Sequence, residues 1–100
     1  MPAKSLLKER RIISENSFLD LVIWELPEPV HGSEHNYKYG LAFVIDNECV
    51  LRYDNEYGKG DHKHIMETEV SYTFNGLAQL VDDFLYDVEQ WRQNHEHSNG

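Results

Sequence analysis

The feature that most constrains the fold is an alternation of apolar with small or polar residues over positions 37–45, YKYGLAFVI. Successive side chains of a β-strand point to opposite faces of a sheet, so the pattern predicts a strand with one apolar face. That face carries Tyr37, Tyr39, Leu41, Phe43 and Ile45. Asp46 and Asn47 both tolerate a positive φ and predict a tight turn. The returning strand, ECVLRYD, has one apolar parity: Cys49, Leu51 and Tyr53.

Three further segments have the β-branched and aromatic composition of strands. They are RIISE at 11–15, FLDLVIWEL at 18–26 and ETEVSYTF at 67–74. Asn75 is a suitable helix N-cap. Behind it, apolar residues recur at helical spacing: Leu77, Leu80, Val81, Phe84, Leu85, Val88 and Trp91. We therefore predict an α+β fold, in which an antiparallel meander sheet of about five strands is covered on one face by a long C-terminal helix.

The chain has 100 residues, which is enough for one domain. We expect an N-terminal segment over 1–10, where a short helix around Ser5–Arg10 is one option. The sheet follows over 11–74 and the helix over 75–93. Residues 94–100 are polar, without periodicity, and end in glycine, so we expect a frayed tail there.

The net charge of −9 argues against nucleic-acid binding over a broad face, because an acidic surface repels phosphate. A local basic pocket near Arg52, Lys59 and Lys63 stays compatible with this charge, and the acid excess also suits a basic protein partner. Cys49 is the single cysteine, so an intrachain disulfide is excluded, and we expect its thiol to be buried. No apolar run is long enough to span a bilayer and no signal peptide opens the chain, which predicts a cytoplasmic protein without membrane contact.

The segment RYDNEYGKGDHKH, residues 52–64, concentrates ionisable groups between two strand patterns. Between Asp54 and Ile65 we expect a hairpin loop or a disrupted strand, with Gly58 and Gly60 supplying backbone freedom around Lys59. Imidazoles that titrate near neutrality, next to carboxylates and cations, can perform acid/base chemistry on a phosphodiester.

The leading hypothesis is a metal-independent endoribonuclease without a cofactor. His62 would transfer protons and His64 would be the second acid/base candidate. Asp61 or Glu56 would orient a histidine. Lys59 and Arg52 would stabilise charge on the reacting phosphorus.

Three alternatives stay open. His62 and His64 lie on one side of a strand and could hold a metal with Asp54, Glu56 or Asp61, which would make the protein a metal-dependent hydrolase. The 52–64 loop could instead dock a partner protein, as a non-catalytic binding module. It could also be a solvated hairpin tip held by its own ion pairs. His31 and His35 would join the site only if their proline-rich loop folds over the end of the sheet.

The stretch HNYKYGLAFVIDNECVLRYDNEYGKGDHKHI resembles the TumE family of toxins from bacterial toxin–antitoxin pairs. The shared pattern runs from His35 through Tyr-Lys-Tyr at 37–39 and Arg-Tyr-Asp-Asn-Glu at 52–56. It continues through Gly-Lys-Gly-Asp-His at 58–62 to His64. Gly40 departs from it, because a larger and often basic residue is expected there. The resemblance implies a small cytoplasmic toxin encoded beside a DNA-binding antitoxin, its protein partner.

The sequence suggests two further kinds of partner. Many toxins of this size cleave RNA, so RNA or the ribosome is a possible target by analogy. The exposed strand edges of an open sheet also make a homodimer plausible.

Overall fold

The computed structural model describes residues 2–95. Six strands precede one helix, and each strand pairs antiparallel with the next, in the order β1-β2-β3-β4-β5-β6. The elements are β1 Lys4–Ser14, β2 Ser17–Glu25, β3 Tyr37–Ile45, β4 Glu48–Glu56, β5 Gly60–Ile65, β6 Thr68–Ser71 and α1 Leu77–His95. The predicted α+β meander with a C-terminal helix is confirmed, with six strands in place of about five.

One apolar core lies between the sheet and α1. Alternate residues of β2, β3 and β4 meet three buried residues of the helix there: Leu19, Leu21, Ile23, Tyr39, Leu41, Phe43, Leu51, Tyr53, Leu80, Phe84 and Val88. Each fully buried aliphatic or aromatic side chain contributes roughly 1.5–3 kcal/mol, much of which is offset by chain entropy. We call this side of the sheet the helix face.

The opposite side of the sheet, which we call the open face, is not covered by α1. It carries the alternate residues of the same strands, including Val22 and Trp24 of β2, Lys38 and Gly40 of β3, and Arg52 of β4. The helix predicted over 75–93 spans Leu77–His95, so residues 94 and 95 of the expected tail are helical. The Gly76 carbonyl accepts the Leu80 amide, so Asn75 is not the N-cap expected from the sequence. The rest of the expected tail, 96–100, lies outside the described residues.

The expectation of a helix around Ser5–Arg10 is wrong. This segment belongs to β1, which pairs along its length with β2, from Lys4 opposite Glu25 to Ser14 opposite Ser17. Its local helix propensity is weak beside the gain from completing a ladder of backbone hydrogen bonds.

The expected burial of Cys49 is also wrong. The register of β3 with β4 shifts between Phe43, opposite Leu51, and Val44, opposite Cys49. Val50 is the extra residue of this β-bulge, and a bulge interrupts the alternation of faces. Val50 and Leu51 are therefore both buried, and Cys49 is exposed.

Candidate active site

Residues 52–64 form a β-hairpin of two regular strands, so the hairpin loop or disrupted strand expected between Asp54 and Ile65 is wrong for most of this range. β4 continues to Glu56 and β5 begins at Gly60, which leaves residues 57–59 as the turn. The Lys59 amide donates a hydrogen bond of 3.0 Å to the Glu56 carbonyl and closes this turn. Both faces of this hairpin carry polar side chains, so the strand alternation does not appear as a hydrophobic pattern in the sequence. The ladder of backbone hydrogen bonds between β4 and β5 is nevertheless intact.

The pairing of β4 with β5 decides which side chains meet. Arg52 lies opposite His64, and Asp54 lies opposite His62. Residues that are directly paired in a sheet project to the same face. These four side chains therefore lie together on the open face, and Glu69 of β6, opposite His64, joins them. We call these five residues the open-face cluster.

A buried carboxylate and imidazole lie at the centre of this cluster. Asp54 is 8% exposed and His62 is 4% exposed. Asp54 Oδ1 lies 2.6 Å from His62 Nε2, and its Oδ2 lies 2.9 Å from Arg52 Nε. Arg52 thus orients the carboxylate so that one oxygen faces the imidazole. Asp54 takes the place beside His62 that the sequence analysis assigned to Asp61.

The ring of His62 is held from its other side by the backbone. Its Nδ1 lies 3.0 Å from the Gly60 carbonyl oxygen, which can only accept, so Nδ1 carries a proton. Gly60 has a φ of +76°, and a Cβ at this position would lie 2.7 Å from the Gly32 carbonyl oxygen. The glycine therefore lets the 27–36 loop approach the hairpin and, through its carbonyl, fixes the His62 ring.

The more exposed rim of the cluster surrounds one carboxylate. Glu69 Oε1 lies 3.5 Å from His62 Nε2, 3.8 Å from His64 Nε2 and 3.6 Å from Lys59 Nζ. Lys59 also lies 3.4 Å from Glu56, and its pKa is raised by the hydrogen bond to Glu56 and by the charge of Glu69. The structure therefore brings Lys59, His62 and His64 together. Glu56 contacts Lys59 and does not orient a histidine.

Asp61 lies on the helix face, so the expected contact between Asp61 and His62 is wrong. Adjacent residues of a strand point to opposite faces. Asp61 instead accepts hydrogen bonds from Ser33 Oγ at 3.1 Å, Tyr39 Oη at 2.8 Å and His35 Nε2 at 2.6 Å. Burial, followed by the bond to Asp61, raises the pKa of Tyr39, so its phenol remains a donor. Three donors on one carboxylate indicate a structural role.

The docking of the 27–36 loop determines where its two histidines, His31 and His35, lie. His35 Nδ1 accepts the Tyr37 amide at 3.2 Å, and its ring stacks on Phe74 at 3.8 Å. Both of its nitrogens are thus engaged on the helix face. The ring of His31 lies 5.2 Å from that of Tyr57 at the hairpin turn. The 27–36 loop therefore does fold over the end of the sheet, and it brings His35 to Asp61 rather than to the open-face cluster.

Lys63, a cation near the expected site, also lies on the helix face. Its Nζ is 3.1 Å from Asp87 Oδ2 of α1, and Tyr53 donates to the same carboxylate. These contacts tie the helix to β4 and β5 across the core. Lys63 is therefore a packing residue in this fold and is turned away from the open-face cluster.

A groove of about 300 Å³ lies on the open face beside the cluster. Its walls and floor include Trp24, Lys38, Gly40, Arg52 and Asp54. Gly40 lies between Val22 and Asp54 in the sheet, and a Cβ added to it would meet nothing within 4 Å. The missing side chain thus leaves the floor of the groove open next to Asp54.

A second groove, of about 450 Å³, lies across the hairpin and is lined in part by His35, Asp61 and Phe74. The His35 imidazole and the Asp61 carboxylate in this groove are hydrogen-bonded to each other. The first groove is the better candidate for chemistry because it adjoins the open-face cluster.

The comparison with protein families matches the Toxin TumE model to residues 3–92, most of the chain. The chain belongs to the Toxin TumE family. No curated protein and no solved structure matches it. The resemblance read from the sequence is confirmed: the protein is the toxin component of a toxin–antitoxin pair, and its partner is an antitoxin. Among residues 2–95, no helix has the length and apolar character needed to cross a membrane.

Several residues of this TumE-family toxin that shape the open face were missed or undervalued in the sequence. Glu69 and Trp24 were not linked to the motif, and Asp54 was considered only as a metal ligand. Parity was the available signal, since Arg52 and Asp54 share one side of β4, and His62 and His64 share one side of β5. Glu69 could not be placed, because its position depends on the short turn between β5 and β6.

Proposed function

We propose that this toxin cleaves single-stranded RNA at the open-face cluster. The observation that carries the proposal is the position of the cluster at one side of a groove whose other lining residues suit a nucleic-acid strand. Asp54 belongs both to the cluster and to the groove. A reacting phosphate at this side of the groove would therefore lie beside Arg52 and Asp54, and the His62 imidazole adjoins Asp54 at 2.6 Å.

The groove offers a stacking surface and cations. Trp24 is 36% exposed on the open face, and it pairs across the sheet with Lys38. Base stacking on an aromatic side chain contributes about 1–3 kcal/mol per base. Arg52 uses its Nε for Asp54 and has a side chain that is 57% exposed, so its terminal nitrogens can reach a phosphate oxygen. These groups supply the local basic site that the net charge of −9 leaves possible.

RNA is favoured over DNA as substrate because its 2′-hydroxyl can act as an internal nucleophile. Attack of this oxygen on phosphorus breaks the bond to the 5′-oxygen. Such a reaction needs charge stabilisation, a proton acceptor and a proton donor. Arg52, His62, His64 and Asp54 provide groups of these kinds. The ribosome and free RNA both present single strands of this chemistry, and either would be met in the cytoplasm, where we place the toxin.

The rival proposal, a protein-docking module, is less well supported by the geometry. A docking tip would project its side chains into solvent, whereas the reactive centre here is buried beside a concave surface. Ligand and catalytic sites are typically concave with a few convergent polar groups. The antitoxin partner can act by covering this groove, which is compatible with the cleavage proposal.

The test uses expression under tight control of three full-length chains: wild type, His64→Gln and His31→Gln. His64 is a cluster residue, and His31 is an exposed loop histidine that serves as the matched control. We expect growth arrest and fragmented RNA with wild type and His31→Gln, and neither with His64→Gln at equal protein level. Normal growth with intact RNA for wild type, or growth arrest with intact RNA, would remove the cleavage proposal. Equal fragmentation by His64→Gln would remove the assigned site.

A further inference from the structure

We infer that Asp54, His62 and His64 bind one divalent transition-metal ion on the open face. The inference rests on the proposed function and gives the same site a different chemistry. As ligands, His62 and His64 would no longer transfer protons, and the bound ion with its water would supply charge stabilisation and proton transfer instead. Asp54 Oδ1 and one ring nitrogen from each histidine all lie within 4.8 Å of one another. Two ligands of one ion, with bonds of about 2.0–2.2 Å, lie at most about 4.4 Å apart. A small adjustment of the side chains therefore suffices to share an ion.

The strongest support is an oxygen without a hydrogen bond. Within residues 2–95, Asp54 Oδ1 is a buried side-chain oxygen that has no hydrogen-bond partner. It lies 2.6 Å from His62 Nε2, but this contact does not have hydrogen-bond geometry. A buried carboxylate oxygen left in this state is costly. A cation bound by both atoms would satisfy the oxygen and remove the repulsion between two lone pairs at this distance.

The backbone prepares His62 as a ligand. Because Nδ1 donates to the Gly60 carbonyl oxygen at 3.0 Å, the lone pair of neutral His62 lies on Nε2, the atom beside Asp54. Histidine ligands of metal ions typically donate their other nitrogen to such an acceptor. The Arg52–Asp54 contact at 2.9 Å plays the matching role for the carboxylate, since it occupies Oδ2 and leaves Oδ1 for the ion.

The third ligand follows from strand geometry. His64 is two residues beyond His62 on β5, so both rings lie on the open face, with centroids 5.0 Å apart. Its side chain is one-third exposed, so it can turn toward the ion without disturbing the core. Glu69, 3.5 Å and 3.8 Å from the two Nε2 atoms, is in reach as a further ligand or as an acceptor for a bound water.

The ligand set indicates the class of ion. Two imidazoles and a carboxylate suit Zn²⁺, Mn²⁺, Fe²⁺, Co²⁺ or Ni²⁺, whereas Mg²⁺ and Ca²⁺ prefer oxygen ligands. Three protein ligands leave coordination positions for water or a phosphate oxygen from the adjoining groove. A bound ion would polarise that phosphate oxygen or lower the pKa of a bound water. The competing interpretation is an ion pair of protonated His62 with Asp54, which would hold no metal.

The test measures ion binding without RNA. Full-length protein is dialysed against a chelator and then titrated with Zn²⁺ by calorimetry and with Co²⁺ by visible absorption. We expect one ion per chain, and binding at least about tenfold weaker in His64→Gln and in Asp54→Asn. His64→Gln is the primary variant, because a partly exposed side chain can be replaced without unfolding the protein. The melting temperature of wild type should also rise by several degrees with Zn²⁺ in excess over its Kd.

Two controls address other histidines: His31→Gln and the double variant His95→Gln/His97→Gln should bind as wild type does. No binding by wild type, equal binding by wild type and His64→Gln, or loss of binding in the double variant would each overturn the inference. Its outcome is separable from that of the proposed function. Ion binding by a chain that leaves RNA intact would support the metal site and remove the cleavage proposal. RNA cleavage by a chain that binds no ion would support the cleavage proposal and remove the metal site.

Discussion

Asp61 and His62 are neighbours in the chain, and their side chains lie on opposite faces of the sheet. Asp61 accepts hydrogen bonds from His35 and Tyr39 on the helix face, whereas His62 contacts Asp54 on the open face. The motif that reads as one reactive segment therefore divides into two sets. One holds the 27–36 loop to the sheet, and the other forms the candidate active site.

The structural role of Asp61 predicts a loss of stability on substitution. Asp61→Asn places an amide against donors that the carboxylate now satisfies, so we expect the free energy of unfolding to fall by about 2–3 kcal/mol. The control is Asp20→Asn, which removes an exposed pair with Arg10 and should cost about 0–1 kcal/mol. Urea denaturation measures both. Equal midpoints for the two variants would contradict the role given to Asp61.

Gly60 and Gly58 form a matched pair for testing how the loop approaches the hairpin. Both have a positive φ, of +76° and +82°, but only at Gly60 would a Cβ meet another backbone, at 2.7 Å from the Gly32 oxygen. We expect Gly58→Ala to cost about 1–2 kcal/mol from backbone strain alone. Gly60→Ala should cost roughly 3 kcal/mol or more, because the clash adds to the strain. The measurement is the urea midpoint, and similar losses would show that the close approach does not matter.

Gly40 allows the groove to be filled without disturbing the core. A side chain there meets nothing within 4 Å, and the backbone is ordinary strand, so Gly40→Leu should leave the melting temperature within a few degrees of wild type. The leucine should weaken binding of a labelled single-stranded RNA by at least about tenfold, or about 1.4 kcal/mol, with Gly40→Ala in between. Fluorescence anisotropy measures the affinity. Unchanged affinity in a folded Gly40→Leu protein would contradict the groove as the RNA site.

Much of the fold could be predicted from local patterns. The alternation over 37–45 and the helical spacing behind Asn75 are periodic signals, and both elements formed where they were expected. The strands within residues 52–64 could not be predicted from hydrophobicity, because their polar side chains have no hydrophobic period. Backbone pairing between strands does not require such a period. The contact of Asp61 with His35 joins residues that are 26 positions apart, and the contact of His62 with Glu69 joins two neighbouring strands. They depend on strand register and loop docking, which local composition does not encode.

Two buried tyrosines predict the alkaline limit of stability. Burial first, and then hydrogen bonds to Asp61 and Asp87, raise the pKa of Tyr39 and of Tyr53 above the ordinary value of about 10. The folded chain therefore keeps these protons after the unfolded chain has lost them. The free energy of unfolding should be unaffected by these groups below about pH 10 and fall above it, by up to about 1.4 kcal/mol per pH unit for each tyrosine.

Urea denaturation between pH 8 and pH 11 checks the sign. Tyr53→Phe removes one of the two phenols, so its stability should fall less steeply with pH than that of wild type. A wild-type stability that stays constant or rises over this range would be inconsistent with the raised pKa values.

The central claim is that the open face, and not the Asp61 side of the hairpin, performs the chemistry. The most direct measurement is the rate at which purified Asp54→Asn and Asp61→Asn proteins cleave a defined single-stranded RNA, at a temperature where both are folded. We predict a loss of at least about 100-fold for Asp54→Asn, or about 2.7 kcal/mol of barrier, and a rate within about threefold of wild type for Asp61→Asn. A full rate for Asp54→Asn, with loss of cleavage in folded Asp61→Asn, would contradict the account.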